Sequence, residues 1–328
     1  FFFPKPNLHI TEKFFSTEGN EEFLYKVARV SSEKGNPYYI FDRGSTAKIS
    51  ECCRLSFKLN ESDLEDAKKP WKMRYSAMQN VTLNLPRVAY EAKNDDDRLF
   101  EIISERMEIM AKAHVKKKEF ISKLLDLGTQ GPLSLLSMEL DGERYYRLSH
   151  ATFLFGMVGL NELVEYHTGE EMHESIDALR FGLKVISHMN KESSNLSEKY
   201  GMRFVLEQTP AESTAYRLAK LDMEHYKRDA ELVVKGDITT GEIYYTNSAY
   251  LNIGAYISPI ERVKKEGLFH PLIEAGALSH IWLGEARPSP ESIANFVKKT
   301  FRHTLNDQIA FSPEFTVCLD CGKRMLEV

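Results

Sequence analysis

From residue 80 onwards, short apolar runs that predict β-strands alternate with longer segments whose apolar residues have helical spacing. Strands are expected at Val81–Leu85, Arg203–Leu206 and Leu278–Leu283. Strands that alternate with helices are typical of βα units, in which the strands pair in parallel within a barrel or an open sheet. The sequence therefore predicts an α/β fold.

The remaining predicted elements follow the same two patterns. Further strands are expected at Phe1–Thr11, Tyr38–Phe41 and Ala230–Val234. Helices are expected at Glu21–Lys34, Val88–Leu127, Ala151–Tyr166, His173–Tyr200, Ala211–Tyr226, Pro259–Lys265 and Glu291–His303. The stretch from Asp42 to about Met78 has little periodicity, and a loop this long inside a compact domain is usually functional or disordered. Its cysteines and aromatic residues favour a functional loop.

Composition excludes several classes of protein. The net charge of −5 provides no basic field that would hold a nucleic acid backbone. No window approaches the roughly 18 apolar residues of a membrane span, and no signal-peptide pattern is present. Four cysteines among 328 residues are too few for a secreted disulfide scaffold. We therefore expect a cytoplasmic protein that binds neither membrane nor nucleic acid.

Two adjacent cysteines, Cys52 and Cys53, lie in the long loop and are followed by Arg54. A nearby cation favours the thiolate, so this pair is a candidate for reactive thiol chemistry. The alternative is that both cysteines pack as small apolar side chains. The residues alone leave both interpretations open.

Near the end of the chain, Cys318 and Cys321 have the Cys-x-x-Cys spacing of a zinc knuckle and are followed by Gly322. One such pair supplies half of a four-ligand structural zinc site, and a redox-active pair is the competing interpretation. The chain also begins on an apolar run without an initiator Met. We interpret it as a segment of a longer protein, with two further zinc ligands expected beyond Val328.

The segment from Thr209 to Thr214 lies between a predicted strand and a predicted helix. One interpretation is a well-capped helix, with Thr209 as the cap. The other is a substrate-phosphate site in which the helix start at Ala211 and the hydroxyls of Ser213 and Thr214 hold the anion.

Asn84 and Arg87 end another predicted strand. Since α/β folds bind ligands beyond the carboxyl ends of their strands, these two side chains are further candidates for substrate binding.

Together these segments resemble the catalytic subunit of anaerobic (class III) ribonucleoside-triphosphate reductase, a family of glycyl radical enzymes. The matching stretches occur in the order of the family and extend across the chain. They are Phe2–Thr11, Cys53-Arg54, Val81–Arg87, Gln208–Asp222, Tyr244–Leu251 and Val317–Gly322.

The resemblance implies half of a ten-stranded α/β barrel, with a central finger loop at about residues 42–78. Residues 1–312 would form the second half of the barrel, and residues 313–328 would begin a C-terminal zinc ribbon. It further implies that Cys53 is the thiyl-radical cysteine, with Cys52 as the alternative if the register slips by one residue. The glycyl radical would lie beyond Val328.

The implied activity is the anaerobic reduction of ribonucleoside triphosphates to deoxyribonucleotides for DNA synthesis. The implied cofactors are structural zinc and a glycyl radical installed by a radical-SAM activase. The implied partners are the nucleotide substrate, allosteric nucleotide effectors bound mostly outside this chain, formate or a thiol as reductant, and a second copy in a homodimer.

One departure concerns the ribose-contacting asparagine that family members often carry a few residues before Asn84. In the stretch from Arg74 to Asn80, only Asn80 is available. Two alternatives to the reductase remain. One is a glycyl radical acyltransferase or lyase with the same barrel, for which the adjacent cysteines would both react. The other is a non-enzymatic nucleotide- or zinc-binding module, which would need both cysteines to be buried and inert.

Overall fold

A computed structural model describes residues 6–43, 48–50, 56–58, 69, 74–140, 142–284, 286–313, 316–317 and 324–325. The strands are β1 Asn7–Ile10, β2 Tyr38–Phe41, β3 Lys48–Ser50, β4 Ser56–Lys58, β5 Ser76–Asn84, β6 Glu139–Leu140, β7 Glu143–Arg144, β8 Ala151–Val158, β9 Phe204–Glu207, β10 Lys235–Asp237, β11 Glu242–Tyr244, β12 Ser279–Gly284, β13 Gln308–Pro313, β14 Thr316–Val317 and β15 Arg324–Met325. The α-helices are α1 Asn20–Lys34, α2 Leu85–Ala92, α3 Asp96–Asp126, α4 Ser134–Ser137, α5 Leu160–Thr168, α6 Ile176–Tyr200, α7 Glu212–His225, α8 Lys227–Ala230, α9 Pro259–Glu266 and α10 Pro290–His303.

The chain divides into two compact units. One contains residues 59–253, and the other contains residues 1–58 together with residues 254–328. The first unit is built on a parallel sheet in the order β5-β8-β9, which confirms the predicted α/β class. Predicted strands at Val81–Leu85 and Arg203–Leu206 correspond to β5 and β9, although β5 starts earlier, at Ser76.

The predicted helix at Ala151–Tyr166 is wrong in its first half. Residues Ala151–Val158 form β8, the central strand of the parallel sheet, and α5 starts only at Leu160. Every residue of β8 is buried. A strand covered on both faces reads as an unbroken apolar run, which has no alternation to distinguish it from a buried helix.

Two other predictions need correction. The helical stretch from Val88 to Leu127 is two helices, because α2 ends at Ala92 and Lys93 adopts a left-handed conformation with φ of +51°. Residues Ala230–Val234 are not a strand. Ala230 ends the short helix α8, and its carbonyl accepts from the backbone N–H of Val234 at 2.9 Å.

One face of the parallel sheet is covered by α3 and α6 and forms an aromatic core. Phe153, Phe155 and Phe204 pack there around His114 of α3, whose Nε2 lies 3.0 Å from the carbonyl oxygen of Leu154. Burial lowers the pKa of His114 to about 4, so its ring is a neutral part of the core. The other face therefore carries the side chains that alternate with these aromatics.

The second unit contains a mixed sheet in the order β1-β2-β13-β12, in which β1 with β2 and β12 with β13 pair in parallel and β2 with β13 antiparallel. The predicted strand at Leu278–Leu283 is confirmed as β12, and β13 was not predicted. Helices α1 and α10 pack on this sheet around Tyr39 and Phe311, whose ring centroids are 5.8 Å apart.

Two short antiparallel pairs flank the cysteine motifs in sequence. Strands β3 and β4 pair antiparallel on either side of residues 51–55, and β14 and β15 pair antiparallel on either side of residues 318–323. Cys52, Cys53, Cys318 and Cys321 themselves lie outside the described residues.

Candidate active site at the carboxyl edge of the parallel sheet

The face of the parallel sheet opposite the aromatic core carries a polar cluster. Asn80 and Thr82 lie two residues apart on the same face of β5, and the Thr82 hydroxyl donates to Asn80 Oδ1 at 3.2 Å. The Asn80 amide donates to the carboxylate of Glu207, the last residue of β9, and to Thr209 Oγ1 at 3.2 Å. Glu207 and Thr209 are each only 7% exposed. An amide, two hydroxyls and a carboxylate thus converge at the edge where α/β folds bind ligands.

Gly156 of the central strand makes room for this cluster. A Cβ at this position would lie 2.0 Å from Thr209 Oγ1, 2.5 Å from Asn80 Oδ1 and 2.9 Å from Thr82 Oγ1. Any side chain would therefore displace the three polar groups that meet over the strand.

Asn84 and Arg87, two of the predicted substrate-binding residues, meet at a buried carboxylate. Asp222 of α7 is fully buried and accepts from Asn84 Nδ2 at 2.9 Å and from Arg87 Nε at 2.7 Å. The Tyr245 hydroxyl donates to the same carboxylate at 2.9 Å. Arg87 has 32% of its side chain exposed, and its guanidinium lies 5.5 Å from the ring centroid of Tyr226. Their contact with substrate stays a prediction, and the structure gives both side chains an internal partner.

Thr209 is not the cap of the following helix, contrary to the structural interpretation of the sequence. Helix α7 starts at Glu212. Its N-cap residue is Ala211, which makes no side-chain capping hydrogen bond. The Thr209 hydroxyl instead accepts a hydrogen bond from the Asn80 amide and so belongs to the polar cluster on the sheet. Ser213 is exposed and Thr214 half-buried in the first turn of α7.

The segment Tyr245–Ser248 closes this edge of the sheet. The Asn247 side chain accepts from the backbone N–H of Ala211 at 3.2 Å. The Thr246 carbonyl accepts from the N–H of Gly159 at 2.9 Å, and the Ser248 carbonyl accepts from the N–H of Leu160 at 3.2 Å. The segment therefore ties the start of α7 to the start of α5.

Glu162 of α5 holds the middle of that segment. Its fully buried carboxylate accepts from the Thr246 backbone N–H at 2.9 Å and from the Thr246 hydroxyl. Burial raises the pKa of Glu162 to about 7, while the hydrogen bonds from Thr246 and the charge of Lys235 oppose the rise.

Sequence reasoning missed Glu207, Asp222 and Glu162 as members of this site. Glu207 carried a usable signal, since a carboxylate at the end of a buried strand costs free energy unless it is paired or functional. Asp222 and Glu162 lie within helical segments, where acidic residues are common, so no local pattern marks them as buried.

None of the predicted radical or metal residues is described. Within residues 6–43, 74–140, 142–284 and 286–313, no group of three His, Cys, Asp or Glu side chains could hold a metal ion. In the part of the chain that the structure describes, no helix is both long enough and apolar enough to span a bilayer.

Residues 1–327 match the family model described as anaerobic ribonucleoside-triphosphate reductase. The chain belongs to this family. Among curated relatives, the anaerobic ribonucleoside-triphosphate reductase of Enterobacteria phage T4 is 24% identical over 255 residues, which is 74% of this chain and 38% of that protein. The Escherichia coli strain K12 protein of the same name is 24% identical over 209 residues, which is 61% of this chain and 28% of that protein. The chain thus spans about a third of the length of these relatives.

Solved structures of anaerobic ribonucleotide reductases share the fold. The anaerobic ribonucleotide reductase of Thermotoga maritima with glycerol in the active site is 20% identical, with a TM-score of 0.74. The match covers 99% of this chain and 50% of that one. Another anaerobic ribonucleotide reductase gives a TM-score of 0.75 at 20% identity, covering 99% of this chain and 47% of the other.

Proposed function

We propose that this chain forms part of the catalytic core of an enzyme that reduces ribonucleoside triphosphates to deoxyribonucleotides under anaerobic conditions by radical chemistry. Family membership supports the activity, and the polar cluster of Asn80, Thr82, Glu207 and Thr209 is the observation that carries the assignment of the site. In this proposal residues 1–312 form one half of a ten-stranded barrel.

The radical step is assigned to Cys53, with Cys52 as the alternative. A cysteine thiyl abstracts the hydrogen atom from ribose C3′ and becomes a thiol, so the spin moves to the sugar. The two cysteines lie between β3 and β4 in sequence, which supports a finger loop within residues 42–78. The glycyl radical that generates the thiyl would lie beyond Val328 and would be installed by a radical-SAM activase.

The polar cluster suits the next step, in which the ribose 2′-hydroxyl leaves as water. That departure needs a proton donor and hydrogen bonds to the sugar hydroxyls. Glu207 supplies the carboxyl group, and Asn80 supplies an amide that is already hydrogen-bonded to it. Two reducing equivalents then complete the reaction, and formate or a thiol would provide them.

The substrate triphosphate is assigned to the start of α7. Backbone N–H groups of a helix start attract phosphate, and the hydroxyls of Ser213 and Thr214 lie in that first turn. Thr209 and Ala211 link this turn to the sheet cluster and to Asn247. Asn84 and Arg87 would contribute at the adjoining strand end.

A structural zinc ion is assigned to Cys318 and Cys321 with two further cysteines beyond Val328. The antiparallel pairing of β14 with β15 brackets the Cys-x-x-Cys pair, which supports the start of a ribbon at residues 313–328. Four thiolates leave no open position on zinc, so the metal would stabilise the fold only. A homodimer and allosteric nucleotide effectors complete the proposal.

The proposal is tested on the full-length protein that contains this chain, activated anaerobically by its radical-SAM partner. Replacement of one polar group, Glu207→Gln or Asn80→Ala, should lower kcat for ribonucleoside triphosphate reduction by roughly two or more orders of magnitude. The matched control is Glu139→Gln, because Glu139 is exposed on β6 in the same unit. Unchanged kcat in both cluster variants would refute the site assignment.

A further inference from the structure

Glu162 is a buried carboxylate that no step of the proposed chemistry uses. It lies in the first turn of α5 and directs both carboxylate oxygens at one residue, Thr246. Burial of a carboxyl group costs free energy unless hydrogen bonds compensate for its lost hydration. The burial of Glu162 therefore needs a physical explanation.

Glu162 binds Thr246, which is adjacent in sequence to Asn247 of the candidate site. Thr246 precedes Asn247, and the Asn247 side chain accepts from the N–H of Ala211, the N-cap of α7, at 3.2 Å. Tyr245, on the other side of Thr246, is hydrogen-bonded to Asp222 of the same helix. The three consecutive residues therefore connect α5 with two points on α7.

The same segment is held in a fixed backbone conformation. Ser248 has φ of +51°, a left-handed conformation that is unfavourable for a serine, and it is fully buried. A residue keeps such a conformation only when the surrounding contacts determine it. Here the N–H groups of Gly159 and Leu160 and the Glu162 carboxylate supply those contacts.

We infer that Glu162 is a positioning residue: by holding Thr246 it places the Asn247 side chain against Ala211 and so fixes the start of α7 for substrate binding. The inference rests on the proposed function in assigning the triphosphate to that helix start. Glu162 acts through Thr246 and Asn247 and touches no reacting atom.

Hydrogen exchange in the full-length protein tests the structural half of the inference independently of activity. In Glu162→Ala, the amides of Thr246 and Ala211 should exchange about fivefold faster, as expected for the loss of one hydrogen bond. Amides of β8 and β9 should keep their wild-type exchange rates. Equal acceleration throughout residues 59–253 would show a general loss of stability and would overturn the positioning role.

Steady-state kinetics test the functional half. Glu162→Ala should raise KM for the ribonucleoside triphosphate about fivefold and leave kcat unchanged, because the chemistry at the sugar is not altered. Glu162→Gln should keep the wild-type KM, since its amide can still accept from the Thr246 N–H and donate to the Thr246 hydroxyl. Failure of this rescue would contradict positioning by hydrogen bonds.

Two further arms keep the outcomes distinct. If Glu162→Ala does not fold, Thr246→Val is the alternative, because it removes only the hydroxyl that donates to Glu162. The Ala211 amide should then exchange faster than in wild type, by less than about fivefold. An unchanged exchange rate at Ala211 would refute the inference. Glu170→Gln, an exposed position just after α5, is the control. If wild-type protein reduces no nucleotide, the proposed function fails while the exchange measurements still decide whether Glu162 positions Ala211.

Discussion

Arg87 Nε lies 2.7 Å from Oδ1 of Asp222, which joins the first turn of α2 to the last turn of α7 through a fully buried carboxylate. Asn84 and Tyr245 donate to the other oxygen of the same carboxylate, each at 2.9 Å. The end of β5 and the segment that closes the site are therefore held by one acidic side chain.

Asp222→Ala should destabilise the protein by about 2–5 kcal/mol, because it leaves Arg87 without its charge partner and removes the acceptor of the Asn84 amide and the Tyr245 hydroxyl. Urea denaturation of wild type and variant gives the difference in the free energy of unfolding. Glu101→Gln, which removes the partner of Arg98 in an exposed ion pair, should change stability by less than about 1 kcal/mol. Similar effects of both substitutions would contradict the importance given to Asp222.

Gly156→Ala should destabilise the protein by about 1–3 kcal/mol through overpacking against Thr209 and Asn80. The additional substitution Thr209→Ala removes the hydroxyl that would lie 2.0 Å from the new methyl group and should recover part of this loss. Thermal unfolding of the single and double variants measures the recovery. An alanine tolerated at this position without any loss would show that the cluster is not packed against the strand.

Glu162 should make the free energy of unfolding depend on pH. Its pKa is raised from 4.5 to about 7 in the folded protein, so the folded state binds the proton more tightly. The corresponding stabilisation is fully present below pH 4.5 and is lost as the pH rises through about 7. Lys235 and Tyr90 interact electrostatically with this carboxyl group.

Denaturation of wild type and Glu162→Gln across that pH range is the measurement. The variant should gain stability relative to wild type as the pH rises through about 7, by on the order of 3 kcal/mol, because glutamine does not ionise. Parallel pH profiles would mean that Glu162 titrates normally.

Zinc content is a further test. The full-length protein should contain zinc, and substitution of both Cys318 and Cys321 by serine should remove it, because thiolates are the expected ligands. Elemental analysis and Tm report the result, and the loss of metal should lower Tm. Wild-type protein without zinc, or with a disulfide between these two cysteines, would refute the ribbon assignment.

Periodicity predicted the helices of this chain better than its strands. Helices α1, α6, α7 and α10 each expose one face, so the helical spacing of their apolar residues is visible in the sequence. Strand β8 is buried on both sides and could not be distinguished from a helix. Burial of this kind depends on tertiary partners that no local window contains.

The candidate site was predictable at the strand ends and not within the helices. Asn84, Arg87 and Thr209 were predicted as site residues because they lie at or just after the ends of apolar runs, where ligands of α/β folds bind. Their roles were harder to predict, since Arg87 pairs with a carboxylate 135 residues away and Thr209 with an amide 129 residues away. Such long-range pairs become visible only when the sheet brings the elements together.

Anaerobic nucleotide reduction by Cys53→Ala and Cys52→Ala, each in the activated full-length protein, tests the central claim most directly. We expect Cys53→Ala to form no deoxyribonucleotide while it retains its fold, its zinc and its affinity for substrate, and we expect Cys52→Ala to remain active. In the proposed mechanism, only a cysteine side chain can both accept the radical and abstract the ribose hydrogen. An active Cys53→Ala would contradict the account: if Cys52→Ala is then inactive, the assignment is wrong by one residue, and if both are active, the finger-loop mechanism fails.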